Sequence, residues 1–87
     1  MQSVVKFPKR GRRVEHPIKG VAIVWLSRCR RYRIVRFVEF EGGVRRFLAG
    51  VKSAAGWSRV ESRRVYYRRF SAAARACELH ARRRGSF

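Results

Sequence analysis

Cys77 and His80 stand one helical turn apart in the run Ser71-Ala72-Ala73-Ala74-Arg75-Ala76-Cys77-Glu78-Leu79-His80. A thiol beside an imidazole is the nearest this chain comes to a nucleophile with its base. Such a pair needs a third group to orient the base, and none stands at a suitable spacing. Cys29 and His16 could bring the set to four zinc ligands, but structural zinc sites normally declare themselves through close cysteine pairs, which are missing here. No paired carboxylates, glycine-rich phosphate loop or nucleophile signature is present. The chain is therefore expected to be non-enzymatic, with no metal and no cofactor. Cys77 reads as a small core residue and His80 as a packed or solvated histidine. Two lone cysteines also suit a reducing compartment better than a disulfide framework, so an intracellular setting is expected.

Binding chemistry is far richer. The 87 residues carry 23 Lys and Arg against five Glu and no Asp, a formal net charge of +18. Charge of that size repels itself and is relieved by a polyanion. Arginine supplies most of it, and guanidinium meets phosphate bidentately where lysine acts as a point charge. Yet 46% of residues are hydrophobic, too many for a disordered basic tail. The basic groups interleave with aromatics: Arg33 and Arg36 around Phe37, Arg45 and Arg46 beside Phe47, Trp57 near Arg59, and Tyr66-Tyr67-Arg68-Arg69. Cations neutralise phosphates, and aromatics on a sheet can stack unpaired bases. Phe47, Trp57 and Tyr67 can equally be core residues; the arginines cannot all be. The candidate contact residues are Lys6, Lys9, Arg10, Arg12, Arg13, Arg33, Arg36, Arg46, Lys52, Trp57 and Arg59.

The elements that must position these residues follow from period and punctuation. Residues 1–19 show no period of 2 or 3.6 and carry Pro8, Gly11 and Pro17, so they read as a flexible basic N-terminal arm. Residues 20–87 read as one domain. Gly20 to Ser27 is apolar and β-branched, as a buried strand would be. Tyr32 to Phe40 reads as a second strand, although neither of its faces is purely polar. Glu41-Gly42-Gly43 is a hairpin signal. In the return strand, Val44 to Lys52, alternation sets Phe47, Ala49 and Val51 toward the core and Arg46, Leu48, Gly50 and Lys52 on the other side. Trp57 to Glu61 continues the sheet, and Val65 to Phe70 runs as a strand into a helix of roughly 13 residues, near the typical length. Ser71 is the expected N-cap and Gly85 the expected stop. The expected apolar stripe is Ala72, Ala73, Ala76 and Leu79, with Cys77 or His80, while Glu78 and Arg82 pair on the outer face. The expected core is Val21, Ile23, Trp25, Ile34, Phe47, Ala49, Val51, Val60, Phe70, Ala73, Ala76 and Leu79.

The series Tyr32-Arg33-x-Val35, Ala49-x-Val51, Gly56-Trp57 and Phe70 leading into Ala72-Ala73-x-x-Ala76 resembles the ethylene-response-factor (APETALA-type) DNA-binding domain over about residues 32–84. The resemblance implies a three-stranded antiparallel sheet on one helix, reading the DNA major groove with Arg and Trp side chains. By position, Arg33, Arg36 and Trp57 would be reading residues and Ala72, Ala73 and Ala76 the small face against the sheet. The chain departs from the family where Ile34 replaces the glycine after the opening Tyr-Arg. It also lacks the Trp-Gly of the first hairpin and contains no Asn.

These readings combine into an α+β fold, with three or four antiparallel strands packed on one C-terminal helix. The expected partner is nucleic acid, duplex DNA ahead of RNA, bound through a basic sheet face and the arm. Six or more engaged phosphates would cost roughly a thousandfold in affinity between about 50 and 200 mM salt. Alternatives are a small RNA-binding component of a ribosome or other ribonucleoprotein, and a basic module binding an acidic protein surface. No apolar run reaches membrane-spanning length, so no membrane partner is expected.

Overall fold

Strict alternation of side chains across a pleat builds the five-stranded sheet of the computed structural model, which describes residues 4–18, 20–38 and 45–84. The strands are β1 (Arg12–His16), β2 (Gly20–Leu26), β3 (Tyr32–Phe37), β4 (Phe47–Ser53) and β5 (Gly56–Arg59). They lie in chain order, each antiparallel to the next. A single helix, α1 (Phe70–Arg84), covers one side, over β3 and β4. The α+β architecture is the expected one, with one more strand than four. The Glu41-Gly42-Gly43 turn, Lys19, Glu39, Phe40 and Gly85 lie outside the described residues.

The extra strand is β1, within the segment read as an arm. Four of its five residues are exposed, so no burial imposes an apolar period on its sequence. It is held instead by pairing with β2, from Arg12 opposite Val24 to His16 opposite Gly20. The residues before it are anchored too. Val5 is buried in the core, Phe7 meets Phe70 edge-to-face at 5.8 Å, and the Arg28 amide donates to the Lys6 carbonyl at 2.9 Å. Gly11 allows the chain to cross β2: a β-carbon there would drive into Ile23 and come within 2.7 Å of the Trp25 ring.

The side facing the helix carries Trp25, Ile34 and Ala49 in one cross-strand row, with Tyr32 beside Val51 in the next. Val5, Tyr32, Ile34, Phe47, Ala49, Tyr67, Ala73, Cys77 and Ala81 form the buried core. Burying one large apolar side chain contributes about 1.5–3 kcal/mol. The expected core residues Ile34, Phe47, Ala49 and Ala73 are buried, while Trp25, Val51, Val60, Phe70 and Ala76 pack partly against them. Leu79 is not core but 39% exposed, and Ala72 is exposed. The helix is rotated from the expected stripe, with Ala73, Cys77 and Ala81 turned inward. Two contacts set this rotation: the Tyr32 hydroxyl 2.8 Å from His80 Nδ1, and Phe70 tucked 5.0 Å from Trp25 and 6.0 Å from Phe47. Drawing Phe70 into that aromatic cluster also starts the helix one residue before Ser71. The Ala73 amide donates to the Arg69 carbonyl, so Ser71 lies inside the first turn rather than capping it.

Residues 65–69 do not form the expected strand. Only Tyr67 pairs, exchanging both backbone bonds with Phe47 at 2.8 Å. Its hydroxyl donates to Glu61 at 2.7 Å. Burial first, then that carboxylate, hold the Tyr67 phenol well above its ordinary value.

Candidate nucleic-acid interface

The side of the sheet away from α1 is uncovered by any described element. The register assembles it in rows: Arg12–Val24–Val35–Leu48, then Leu26–Arg33–Gly50–Arg59, with Lys52 opposite Trp57 and Ala22 between Val14 and Phe37. Four cations, Arg12, Arg33, Lys52 and Arg59, thus surround an apolar floor. Among the described residues no acidic side chain shares this face: Glu15 alternates to the other side, Glu61 binds Tyr67, and Glu78 lies on the helix.

At the centre of the face the Arg33 guanidinium lies over the Trp57 ring, 4.5 Å from its centroid. A cation over indole contributes about 0.5–2 kcal/mol, more as water is excluded. Gly50 lies beneath the pair: a β-carbon there would stand in ordinary contact with Arg33 Cγ and Trp57 Cε3, each at 3.6 Å. Burial alone lowers the Arg33 pKa from its ordinary value, though a guanidinium stays charged at any physiological pH. The pair forms a ridge between two clefts. One, of about 320 Å³, is lined by His16, Val35, Phe37, Leu48 and Arg59. The other, of about 360 Å³, is lined by Pro8, Arg10, Arg12, Val14, Val24 and Leu26.

The eleven candidate residues divide between the two sides. Arg12, Arg33, Lys52, Trp57 and Arg59 come together on the open face, and Arg10 lines its second cleft. Arg13 and Arg36 alternate to the helix side, opposite Ile23 and Phe47, so Arg36 cannot share a ligand surface with Arg33 through the sheet. Arg46 precedes β4 and stacks on Tyr66, 5.2 Å from the ring centroid. Lys6 and Lys9 are exposed on the segment leading to β1. Sequence reasoning missed His16 and Phe37, which meet edge-to-face at 5.8 Å across Ala22. Phe37 shares the alternation of Arg33 and Val35 and could have been found; His16 carries no such signal.

The Cys77–His80 pair is turned away from this face and into the core. Burial pushes the Cys77 thiol up to about 12, the reverse of the lowered value an attacking thiolate needs. Burial first, then Arg84 and Arg83, lower the His80 pKa below its ordinary value, and its Nδ1 is engaged by Tyr32. Cys29 is exposed, with its sulfur 3.3 Å from Ser27 Oγ. Among the described residues no three His, Cys or Glu side chains gather to hold a metal ion, and no helix is long and apolar enough to cross a membrane.

No family model matches the chain, and no curated protein or solved structure matches it significantly.

Proposed function

We propose that this chain is a non-enzymatic nucleic-acid-binding domain that uses the open face of its sheet. One observation carries the reading: four cations and a half-buried tryptophan share a single face on which no described acid appears. Phosphates would meet Arg12, Lys52 and Arg59, and Arg33 would be held at a fixed orientation by Trp57. Duplex DNA is the partner that the resemblance to the ethylene-response-factor domain implies. Arg33 and Trp57, two of the three residues carried over from it, are adjacent here, which supports that form; Arg36 is withdrawn from the reading set. A second form, single-stranded DNA or RNA, is favoured by the apolar floor of Val24, Val35 and Leu48, because a duplex presents mainly phosphates and base edges to a sheet. An intracellular nucleoprotein setting goes with either form.

The test is binding to duplex DNA, single-stranded DNA and structured RNA over a salt series. Each phosphate neutralised on a duplex adds about 0.9 to the logarithmic salt slope. The four face cations alone therefore give roughly a hundredfold loss between about 50 and 200 mM salt. Engagement of Lys6, Lys9 and Arg10 as well would carry it to about 6,000-fold. Arg33→Ala should weaken binding well beyond Arg75→Ala, which removes the same charge from the exposed side of α1. Equal effects of the two variants, or binding indifferent to salt, would refute the proposal and direct the search to an acidic protein surface.

A further inference from the structure

The cleft beside the Arg33–Trp57 ridge has a shape that phosphate contacts alone do not use. His16 and Phe37 stand at one end, their rings 5.8 Å apart and nearly perpendicular. At the other end is Trp57 with its stacked guanidinium. Val35, Leu48 and Gly50 line it between them, and Arg59 stands among its lining residues. A volume of about 320 Å³ is at the small end of ligand pockets, roughly 300 Å³ upward. That suits one flat heterocycle rather than several. Aromatic ends, an apolar floor and a cationic surround together call for a planar group on an anionic tether.

We infer that this cleft holds a single unpaired base of a polynucleotide, stacked on Trp57, while Arg10 and Arg12 of the adjoining cleft receive the neighbouring phosphates. The inference rests on the nucleic-acid reading above and names what the face selects. A base paired within a duplex cannot enter, since its faces are covered by its neighbours. It must come from a single strand or be turned out of the stack, at a cost of a few kcal/mol. Arg59, opposite Gly50 in the register, is placed to meet the backbone of the nucleotide so held. His16 is oriented by the Ile18 amide, which donates to Nδ1 at 3.2 Å.

The experiment compares a short oligothymidylate with a strand of the same length made of abasic sugars and carrying the same phosphates. Stacking one base against an aromatic is worth a factor of roughly 5 to 150, so the thymidylate should bind tighter by that margin. Trp57→Ala should abolish the preference of the wild type for thymidylate over the abasic strand, with circular dichroism showing that the variant is folded. Independently of any variant, the thymidylate should quench part of the tryptophan fluorescence of the wild-type protein and the abasic strand should not. Equal affinity for both strands with no difference in quenching would overturn the base site and leave nucleic-acid binding standing. Failure of both strands to bind at low salt would likewise overturn the base site, and failure of duplex DNA beside them would remove the nucleic-acid reading itself.

Discussion

Replacing Glu78 with glutamine should release the N-terminal segment from the helix. The Glu78 carboxylate accepts from the Val4 amide at 3.0 Å through one oxygen and from the Val5 amide at 3.1 Å through the other, and Arg82 Nε adds a third bond at 3.0 Å. Burial opposes ionisation of this group, but the Val5 and Val4 amides and Arg82 outweigh it, and its pKa falls below the ordinary value. Glutamine matches the shape yet offers one acceptor oxygen where two are used, so one amide would face an NH2 group. Losing one hydrogen bond to a charged acceptor costs about 1.5–3 kcal/mol. The site is only partly buried, which places the expected loss near 2 kcal/mol, or roughly 10 °C in the melting temperature of a domain this size. Thermal melting followed by circular dichroism measures this, and hydrogen exchange at the Val4 and Val5 amides localises it. The pH dependence has a defined sign. A carboxyl lowered in the folded state adds stability that is complete above its unfolded value of about 4.3 and is lost as pH falls through the folded one. The wild type should therefore lose its advantage over Glu78→Gln in acid. A variant that melts with the wild type at pH 7 would refute the clasp.

Two further outcomes can be read directly. Burial first, then Arg84 and Arg83, lower the His80 pKa in the fold, where its Nδ1 faces the Tyr32 hydroxyl; a lowered base contributes stability present above its unfolded value near 6.5 and lost as pH falls through the folded one. Urea midpoints should fall between pH 7.5 and 5.5, above the range where Glu78 titrates, and a profile no steeper than that of His80→Gln would contradict this. Cys77 is fully buried with its thiol pushed up to about 12, while Cys29 is exposed. Iodoacetamide at pH 8 should therefore label one thiol in the native protein and two in urea, and rapid double labelling without denaturant would show the core to be open.

The sheet-plus-helix architecture was legible because β2, β4 and α1 announce themselves by β-branched runs, alternation and alanine content. The edge strand β1 was not: Arg12-Arg13-Val14-Glu15-His16 buries little, and its structure comes from backbone pairing that no side-chain period records. The phase of α1 was hidden for another reason. Alanines on several sides make hydrophobicity a poor compass, and the rotation is set by Tyr32 with His80 and by Phe70 among the aromatics. The ambiguity of β3 has a structural meaning. Tyr32 and Ile34 face the core while Val35 and Phe37 line the open cleft, so both faces are partly apolar. Of the candidate contact residues, Arg33 and Trp57 could be named from sequence, but only the register shows that Arg36 points the other way.

The junction of Val4 and Val5 with Glu78 closes the fold through residues 74 and 73 positions apart. During synthesis the sheet strands leave the ribosome before α1 exists, so Trp25, Phe47 and Tyr32 have no lid until the helix emerges. At roughly 5–20 residues per second the interval from β5 to the end of α1 is a matter of seconds. In that time an aromatic surface is open to the crowd of other chains, and the net charge of +18 makes nascent copies of this protein repel one another.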